Sequence, residues 1–219
     1  MKTALVIGAT GLVGSELTNL LLADDRFDKV KVFVRRSTGK QHPKLEEHRV
    51  NFDAVPAWQS LLTGDVLFSS LGTTLKQAGS KEAQYKIDFT YQYNVAKAAA
   101  ENGVTQYVLV SSAGASPQSR LFYSRMKGEL EKAVQTFSFA HIHILQPGIL
   151  QGERDEFRLG ERIGVGMLSV TRYIPGLQKY KPIPGATVAQ AMINAAFREQ
   201  EKVDVWDLDK VFELAGQNA

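Results

Sequence analysis

The sequence predicts an α/β fold, a doubly wound parallel sheet with helices on both faces. Short apolar runs alternate with longer helical patterns along most of the chain, which is the order expected of β-α-β units. Runs such as Val108–Val110 are apolar without a break, as in strands that helices cover on both sides. With 219 residues, 44% of them hydrophobic, the chain has the length and the apolar content of one domain.

The period of the apolar residues places the elements along the chain. Strands are predicted at Ala4–Ile7, Val30–Val34, Arg49–Phe52, Val66–Ser69, Tyr107–Val110 and His141–Leu145. Helices are predicted at Gly11–Ala23, Pro56–Leu62, Glu82–Asn102 and Leu121–Phe137. Thr187 followed by Gln190 has the spacing of a capping box and predicts a further helix start.

Glycines and prolines become frequent after Pro147, where the alternation of strands and helices ends. We therefore predict that residues 147–219 form a small, loop-rich C-terminal cap on a single domain that spans residues 1–219. The loops at 147–185 are expected to line the substrate side and to set specificity.

The composition excludes several classes of protein. The sequence has no cysteine, which removes disulfides, thiolate metal sites and cysteine nucleophiles. The four histidines do not form a metal set, so no metal site is expected. A net charge of +3 gives no argument for nucleic acid, and no apolar run is long enough for a membrane span. The apolar start leads directly into a glycine turn and resembles a strand more than a signal peptide, which predicts a cytoplasmic location.

The first glycine-rich turn carries the strongest functional signal. Gly8, Gly11 and Gly14 follow the first predicted strand and precede the first predicted helix. Glycines at this place allow a tight turn, close backbone approach to a pyrophosphate and close packing of helix on strand. The helix N-terminus adds free N–H groups and a partial positive charge. The pattern predicts a dinucleotide site in a Rossmann-type fold.

The end of the second strand indicates which dinucleotide is bound. Sites specific for NAD usually carry an acidic residue there, about 20 residues after the glycines. In this sequence Arg35 and Arg36 follow the strand instead. A guanidinium can hold a 2′-phosphate that a carboxylate would repel, so NADP(H) is the predicted cofactor. A solvated basic loop is the alternative interpretation.

A serine, a tyrosine and a lysine form a possible active set. Ser111 and Ser112 end the fifth strand, at the edge of the sheet where ligands bind. Tyr123 and Lys127 follow in a helical pattern, four positions apart and therefore on one helix face. A tyrosine that only packs on an amphipathic helix is the structural alternative.

These motifs together resemble the short-chain dehydrogenase/reductase superfamily, and in particular its atypical branch, the NAD(P)-binding proteins similar to the HIV Tat-interacting oxidoreductase. The resemblance rests on the glycine turn, the paired serines, Tyr-x-x-x-Lys and the later Pro-Gly. Its finer details are Arg35-Arg36, Leu71-Gly72-Thr73-Thr74, Phe122-Tyr123, Lys127-Gly128-Glu129 and Pro147-Gly148.

The resemblance implies a role for each matching position. The pyrophosphate would lie against Gly8, Thr10, Gly11, Leu12, Val13 and Gly14, and the 2′-phosphate against Arg35 and Arg36. Asn51 and Phe52 match a pair that contacts adenine, although relatives often have Asp at the first position. The chain after the fourth strand, Leu71, Gly72 and Thr73, would line the cofactor. The nicotinamide would lie beside Pro147, Gly148 and Ile149, where Gln146 replaces an arginine frequent in relatives.

The chemistry implied is hydride transfer between nicotinamide and a carbonyl carbon. Tyr123 would donate a proton to the carbonyl oxygen as general acid. Lys127 would stabilise the phenolate form and bond the nicotinamide ribose. Ser112 would polarise the carbonyl, and it is preferred to Ser111 because the second of the paired serines is the family's usual choice.

Three functions use these residues. The first is an NADP(H)-dependent oxidoreductase acting on a small carbonyl or alcohol substrate. The second is an NADP(H)-sensing binding or regulatory protein that engages a protein partner without significant turnover, suggested by the short C-terminal region. The third is a nucleotide-sugar epimerase, for which the chain is short. No nucleic-acid or membrane partner is expected, and the sequence leaves monomer and homodimer open.

Overall fold

A computed structural model describes residues 1–151, 182–198 and 201–216 of the chain. Seven parallel strands form one sheet in the order β3-β2-β1-β4-β5-β6-β9. Their bounds are β1 Lys2–Ile7, β2 Phe27–Val34, β3 Leu45–Arg49, β4 Val66–Ser69, β5 Gln106–Val110, β6 His141–Gln146 and β9 Val203–Asp207. Two further short strands, β7 Leu150–Gln151 and β8 Ile183–Pro184, pair in parallel with each other. The order reverses between β1 and β4, which is where a doubly wound sheet binds its ligand. The predicted fold class is confirmed.

Helices cover both faces of the sheet. Their bounds are α1 Leu12–Ala23, α2 Leu75–Ala78, α3 Lys81–Tyr85, α4 Gln92–Glu101, α5 Phe122–Val134, α6 Gly185–Ala195 and α7 Asp209–Leu214. The residues between α3 and α4, Lys86–Tyr91, form a π-helical segment. The predicted helix at 82–102 is therefore present, but it changes its hydrogen-bond period in the middle.

Two apolar clusters explain why these layers hold together. On one face, α1 and α6 pack side by side over alternate residues of the central strands, among them Val6, Val108 and Val110. On the other face, α4 and α5 cover Leu5, Leu109 and their neighbours. Because helices cover both faces, the strand residues are apolar in succession, and every residue of β4 and β5 is buried.

Two predicted elements after the second strand are wrong. The strand predicted at Arg49–Phe52 lies earlier, at Leu45–Arg49, and Asn51 caps a turn by accepting a hydrogen bond from the Asp53 N–H. The helix predicted at Pro56–Leu62 is replaced by the 3-10 turns Phe52–Ala57 and Gln59–Leu61. Pro56 removes a backbone donor at this point, and Ala54 has non-helical angles (φ −127°, ψ 46°), so no α-helix forms.

The C-terminal part adds elements to the sheet itself. Strand β9 pairs with β6 at one edge, and α6 begins behind Pro184, before the start predicted at Thr187. Of the predicted cap at 147–219, residues 152–181, 199–200 and 217–219 lie outside the described residues, and so does most of the predicted specificity segment at 147–185. The extent of that cap stays a prediction. Within the described ranges no helix is long and apolar enough to cross a membrane.

Candidate functional site: the dinucleotide turn and the Tyr–Lys pair

The glycine turn brings the carboxyl ends of β1 and β4 into contact. Gly8 has a φ of +87°, and a Cβ there would lie 2.5 Å from the carbonyl carbon of Ser70. The Gly11 N–H donates to the Gly8 carbonyl over 2.8 Å, and a Cβ on Gly14 would overlap that same carbonyl. Glycine is therefore required at Gly8 for its backbone angle and at Gly14 for its packing, as the sequence pattern predicts.

The N-terminus of α1 can accept an anion. Gly11 is its N-cap residue, and no side chain in the described part of the chain caps this end. The first backbone N–H groups of a helix, here those of Leu12, Val13 and Gly14, have no acceptor within the helix. Open N–H groups and the helix dipole favour a phosphate at this place, so the turn fits the pyrophosphate of a dinucleotide.

The loop after β2 holds the predicted 2′-phosphate clamp. Arg35 and Arg36 are both exposed there. The carboxylate of Glu47 accepts hydrogen bonds from the N–H (2.8 Å) and the Oγ1 (2.6 Å) of Thr38. Lys40 Nζ donates to Asn19 Oδ1 of α1 over 2.6 Å. The loop is thus fastened to β3 and to α1, while both arginine side chains are exposed.

The predicted adenine contacts lie in different environments. Asn51 is exposed, and its side-chain oxygen accepts a hydrogen bond from the Asp53 N–H over 3.0 Å. Phe52 is buried against the rings of Trp58 and Tyr91, with centroids 5.7 Å and 5.6 Å away. Asn51 is therefore available at the surface, whereas Phe52 contributes mainly to the core.

The loop after β4 is held from the π-helical segment. Leu71, Gly72 and Thr73 are half-buried. The Thr73 N–H donates to Asp88 Oδ2 over 2.8 Å, and the Thr73 carbonyl accepts from Gln84 Nε2 over 3.1 Å. Both backbone groups of Thr73 are therefore fixed before any ligand binds.

The paired serines extend the ladder between β5 and β6. The Ser111 N–H donates to the Leu145 carbonyl (2.7 Å), and the Ala113 N–H donates to the Pro147 carbonyl (2.9 Å). Ser112, between them, is half-buried, and its Oγ lies 3.5 Å from the Ala113 carbonyl oxygen. The side chain of Ser111 is buried, which agrees with the preference for Ser112 as the serine that a substrate can reach.

The loop that follows Ser112 folds back onto α5. The Ser116 N–H donates to the Ser124 carbonyl over 3.0 Å. A Cβ on Gly128 would lie 2.5 Å from the Cα of Ser116 and would overlap the peptide bond between Ser116 and Pro117. This close approach fixes the distance between the loop that begins with Ser112 and the helix that carries Tyr123.

Tyr123 and Lys127 share one face of α5. Lys127 is 2% exposed, and its Nζ lies 5.9 Å from the centre of the Tyr123 ring. The same Nζ is 3.4 Å from Asp88 Oδ1, in an ion pair whose two side chains are nearly inaccessible. Tyr123 itself is half-buried. A buried ammonium next to a reachable phenol is the arrangement that proton transfer from tyrosine needs.

The sequence analysis missed two acidic residues of this region, Asp88 and Glu131. Glu131 lies one turn beyond Lys127 on α5, and its two carboxylate oxygens accept hydrogen bonds of 3.0 Å each from Gln146 Nε2. Burial raises the pKa of Glu131, against the opposing effects of Ser111, Gln146 and Lys127. Neither residue has a local signal in the sequence, because an acidic residue in a helical pattern is usually solvated.

The segment after β6 pairs with the short strand β8, which precedes α6. Pro147 is buried, whereas Gly148 and Ile149 are half-buried. The Ile149 carbonyl accepts a hydrogen bond of 2.8 Å from the Ile183 N–H, and a Cβ on Gly185 would lie 3.0 Å from Leu12 Cγ. Strand β8 and the start of α6 therefore connect the predicted nicotinamide segment with Leu12 at the start of α1.

The glycine turn, the open helix end and the strand order are the marks of a dinucleotide-binding domain, and a family comparison decides its membership. The model of a family described as NAD(P)H-binding matches residues 8–199. The chain belongs to this NAD(P)H-binding family. The matched range includes the glycine turn, the paired serines and the Tyr–Lys pair.

Curated relatives of this NAD(P)H-binding chain match it along nearly its whole length. Protein FMP52, mitochondrial, of Coccidioides immitis is 33% identical over 237 residues, which cover 100% of this chain and 95% of the relative. The protein of that name from Candida glabrata is 37% identical over 210 residues, which cover 92% of this chain and 88% of the relative. These relatives are named as mitochondrial, so the prediction of a cytoplasmic location is contradicted. The prediction was based on the apolar N-terminal run. That run forms strand β1 and carries no information on location.

Solved structures confirm the fold. MoeE5 in complex with UDP-glucuronic acid and NAD aligns with a TM-score of 0.70 at 16% identity, over 94% of this chain and 76% of MoeE5. A short-chain dehydrogenase/reductase superfamily protein from Agrobacterium tumefaciens with bound NAD aligns with a TM-score of 0.56 at 18% identity, over 68% of this chain and 50% of that protein. At these identities the likeness shows the Rossmann-type fold. Together with the family match, it confirms the predicted resemblance as far as an NAD(P)-binding Rossmann-type domain.

Proposed function

We propose that this protein is an NADP(H)-dependent oxidoreductase that transfers hydride between the cofactor and a small carbonyl or alcohol substrate. The observation that carries the proposal is the buried Lys127 ammonium beside the ring of Tyr123, on the helix that follows the paired serines. A lysine is rarely buried without a charged partner, and buried ionisable groups with a specific charge partner are frequent at functional sites.

The cofactor would lie across the carboxyl ends of β1 and β4. Its pyrophosphate would bind the N–H groups of Leu12, Val13 and Gly14 at the open end of α1. The fastened loop after β4, from Leu71 to Thr73, would line its nicotinamide half on one side, and the segment from Pro147 to Ile149 would line it on the other. The bound cofactor supplies the hydride.

The residues of the chain supply the proton and its control. In the reductive direction, negative charge develops on the carbonyl oxygen, and Tyr123 Oη donates its proton to that oxygen. Ser112 Oγ, just after the carboxyl end of β5, donates a hydrogen bond to the same oxygen. The Lys127 ammonium stabilises the phenolate that remains on Tyr123.

The preference for NADP(H) is argued from the β2 loop. No acidic residue lies between Val34 and Lys40 in the sequence, whereas two arginines do. The loop is held by the Thr38–Glu47 and Lys40–Asn19 hydrogen bonds, so little ordering is needed when a 2′-phosphate binds. The proposed clamp therefore combines two guanidinium groups with a prearranged backbone.

The first experiment measures cofactor binding by calorimetric titration with NADPH and with NADH. We expect NADPH to bind more tightly, and we expect Arg35→Ala/Arg36→Ala to weaken NADPH binding by about tenfold or more while NADH binding stays the same, because only NADPH carries the 2′-phosphate. Lys97→Ala/Lys132→Ala is the matched control, since it removes two exposed positive charges from α4 and α5. Equal loss in both variants would mean that only net charge matters.

The second experiment tests turnover. The wild-type protein is screened for NADPH oxidation with small aldehydes, ketones and quinones, and Tyr123→Phe is compared on each responsive compound. We expect the variant to lose about 10²–10⁴-fold in kcat while it still binds NADPH, because the general acid is removed and the pyrophosphate site is intact. Tight NADPH binding with no oxidation of NADPH by any compound would favour the sensing function, and no binding of either cofactor would refute both.

A further inference from the structure

One buried carboxylate contacts two elements that border the proposed nicotinamide site. Asp88 is 1% exposed. Its Oδ1 lies 3.4 Å from Lys127 Nζ on α5, and its Oδ2 accepts the Thr73 N–H over 2.8 Å from the loop after β4. Asp88 therefore connects the helix that carries the proposed proton donor with the loop that would line the cofactor.

We propose that Asp88 is a positioning residue of the active site, which sets both the place of Lys127 and the charge that acts on Tyr123. This inference rests on the oxidoreductase function proposed above and adds a residue to it. Asp88 does not reach the substrate in this role. It acts through Lys127 on the proton of Tyr123, and through Thr73 on the wall of the cofactor site.

The position of Asp88 in the fold supports a specific role. It lies in the π-helical segment Lys86–Tyr91, and π-helical turns are frequent at functional sites because they redirect side chains within a helix. The Asp88 carbonyl accepts a hydrogen bond of 2.6 Å from Gln92 Nε2, and Gln92 Oε1 accepts one of 2.7 Å from Ser69 Oγ at the end of β4. Both the backbone and the side chain of Asp88 are thus tied to the neighbourhood of the site.

The charge of Asp88 determines an expected pH dependence. Among the described residues, the charged and titratable groups that face Lys127 are Asp88 from the π-helical segment, and Tyr123 and Glu131 from its own helix. If Asp88 loses its negative charge, the Tyr123–Lys127 pair gives up a proton more readily, whichever of the two groups releases it. Reduction needs both protons in place, so the alkaline limit of reductive turnover then moves to lower pH.

The experiment compares reductive kcat against pH in wild type, Asp88→Asn and Asp88→Glu, using NADPH and the carbonyl compound that wild type reduces fastest in the screen. Asp88→Asn keeps an acceptor for the Thr73 N–H and removes the charge, so we expect its alkaline limb to shift down by about one pH unit or more. Asp88→Glu keeps the negative charge but displaces it. We therefore expect a lower kcat, with the alkaline limb of the pH profile near its wild-type position. Glu101→Gln, which removes an exposed carboxylate from the end of α4, is the control and should leave the profile unchanged.

The outcomes separate this inference from the function on which it rests. A wild-type protein that reduces no carbonyl compound refutes the proposed function. Wild-type turnover together with a superimposable Asp88→Asn profile refutes the role of Asp88 alone. If Asp88→Asn does not fold, hydrogen exchange of the wild-type protein without cofactor is measured instead. Strong protection of the Thr73 amide supports the connection between Asp88 and Thr73, and exchange at the rate of an open loop refutes it.

Discussion

Gly128 should control how closely the loop that follows Ser112 can approach α5. The substitution Gly128→Ala places a Cβ 2.5 Å from Ser116 Cα, whereas ordinary contacts of a Cβ begin at 3.4 Å. The obstructing atoms belong to the backbone, which cannot rotate away as a side chain can. The loop must therefore move by roughly 1 Å, or the helix must shift by a similar amount.

The energy of this change follows from two opposing effects. Alanine in a helix interior is about 1 kcal/mol more favourable than glycine. Overpacking costs about 1–3 kcal/mol, and the contact with a backbone that cannot rotate away places this change in the upper part of that range, at about 2–3 kcal/mol. We expect a net loss of about 1–2 kcal/mol in the free energy of unfolding, which for a chain of this length lowers Tm by roughly 2–8 °C.

The catalytic effect should exceed the effect on stability. A displacement of about 1 Å in a reacting group can cost on the order of 10²-fold in rate. Ser112 begins the displaced loop, so we expect kcat to fall by at least about tenfold while NADPH affinity stays within about twofold, because the glycine turn is untouched. Thermal denaturation, calorimetric titration and steady-state kinetics measure the three quantities, with Lys132→Ala at an exposed position of α5 as the control. A Gly128→Ala protein with wild-type Tm and wild-type kcat would refute the packing argument.

Two buried titratable groups predict opposite pH dependences of stability. Burial raises the pKa of Glu131 in the folded protein. The contribution of Glu131 to the free energy of unfolding is therefore fully present below its unfolded pKa and is lost as the pH rises through the folded pKa. We expect Glu131→Gln to flatten the decline of the free energy of unfolding above about pH 4.5, measured by urea titration. Burial lowers the pKa of His143, while Asp204, 3.5 Å from its Nδ1, opposes that effect. The contribution of His143 is present above pH 6.5, its ordinary value, and is lost as pH falls, so His143→Gln should flatten the acid decline, whereas the exposed His42→Gln should leave it as in wild type. Each prediction fails if the variant keeps the slope of the wild-type protein.

Elements with a strong local signal could be predicted from the sequence. The strands at Ala4–Ile7, Val66–Ser69 and Tyr107–Val110 are all present, because a strand buried on both faces needs an unbroken apolar run. The glycine turn has the geometry that its spacing requires, with Gly8 at positive φ and Gly14 against the Gly8 carbonyl. In these places a few neighbouring residues are enough to determine the local structure.

Elements whose signal depends on neighbours in space were missed or misplaced. Strand β9, Val203–Asp207, lies at the edge of the sheet and has two aspartates among its five residues, so it has no long apolar run to find. Its partner β6 fixes it, and that pairing joins residues about 60 positions apart. The 3-10 turns after Asn51 were read as a helix because their apolar spacing is helical, but Pro56 and the kink at Ala54 decide the backbone.

Asp88 shows most clearly what sequence reasoning could not reach. In the sequence it is an acidic residue within a helical pattern, and such residues are usually solvated. The π-helical segment turns it toward the sheet, where it meets Thr73 from one loop and Lys127 from another helix. A motif search centred on Ser112, Tyr123 and Lys127 finds the groups that would touch substrate, and it passes over the group that determines where Lys127 stands. The test with Asp88→Asn and Asp88→Glu therefore examines the part of the site that depends on the fold rather than on a motif.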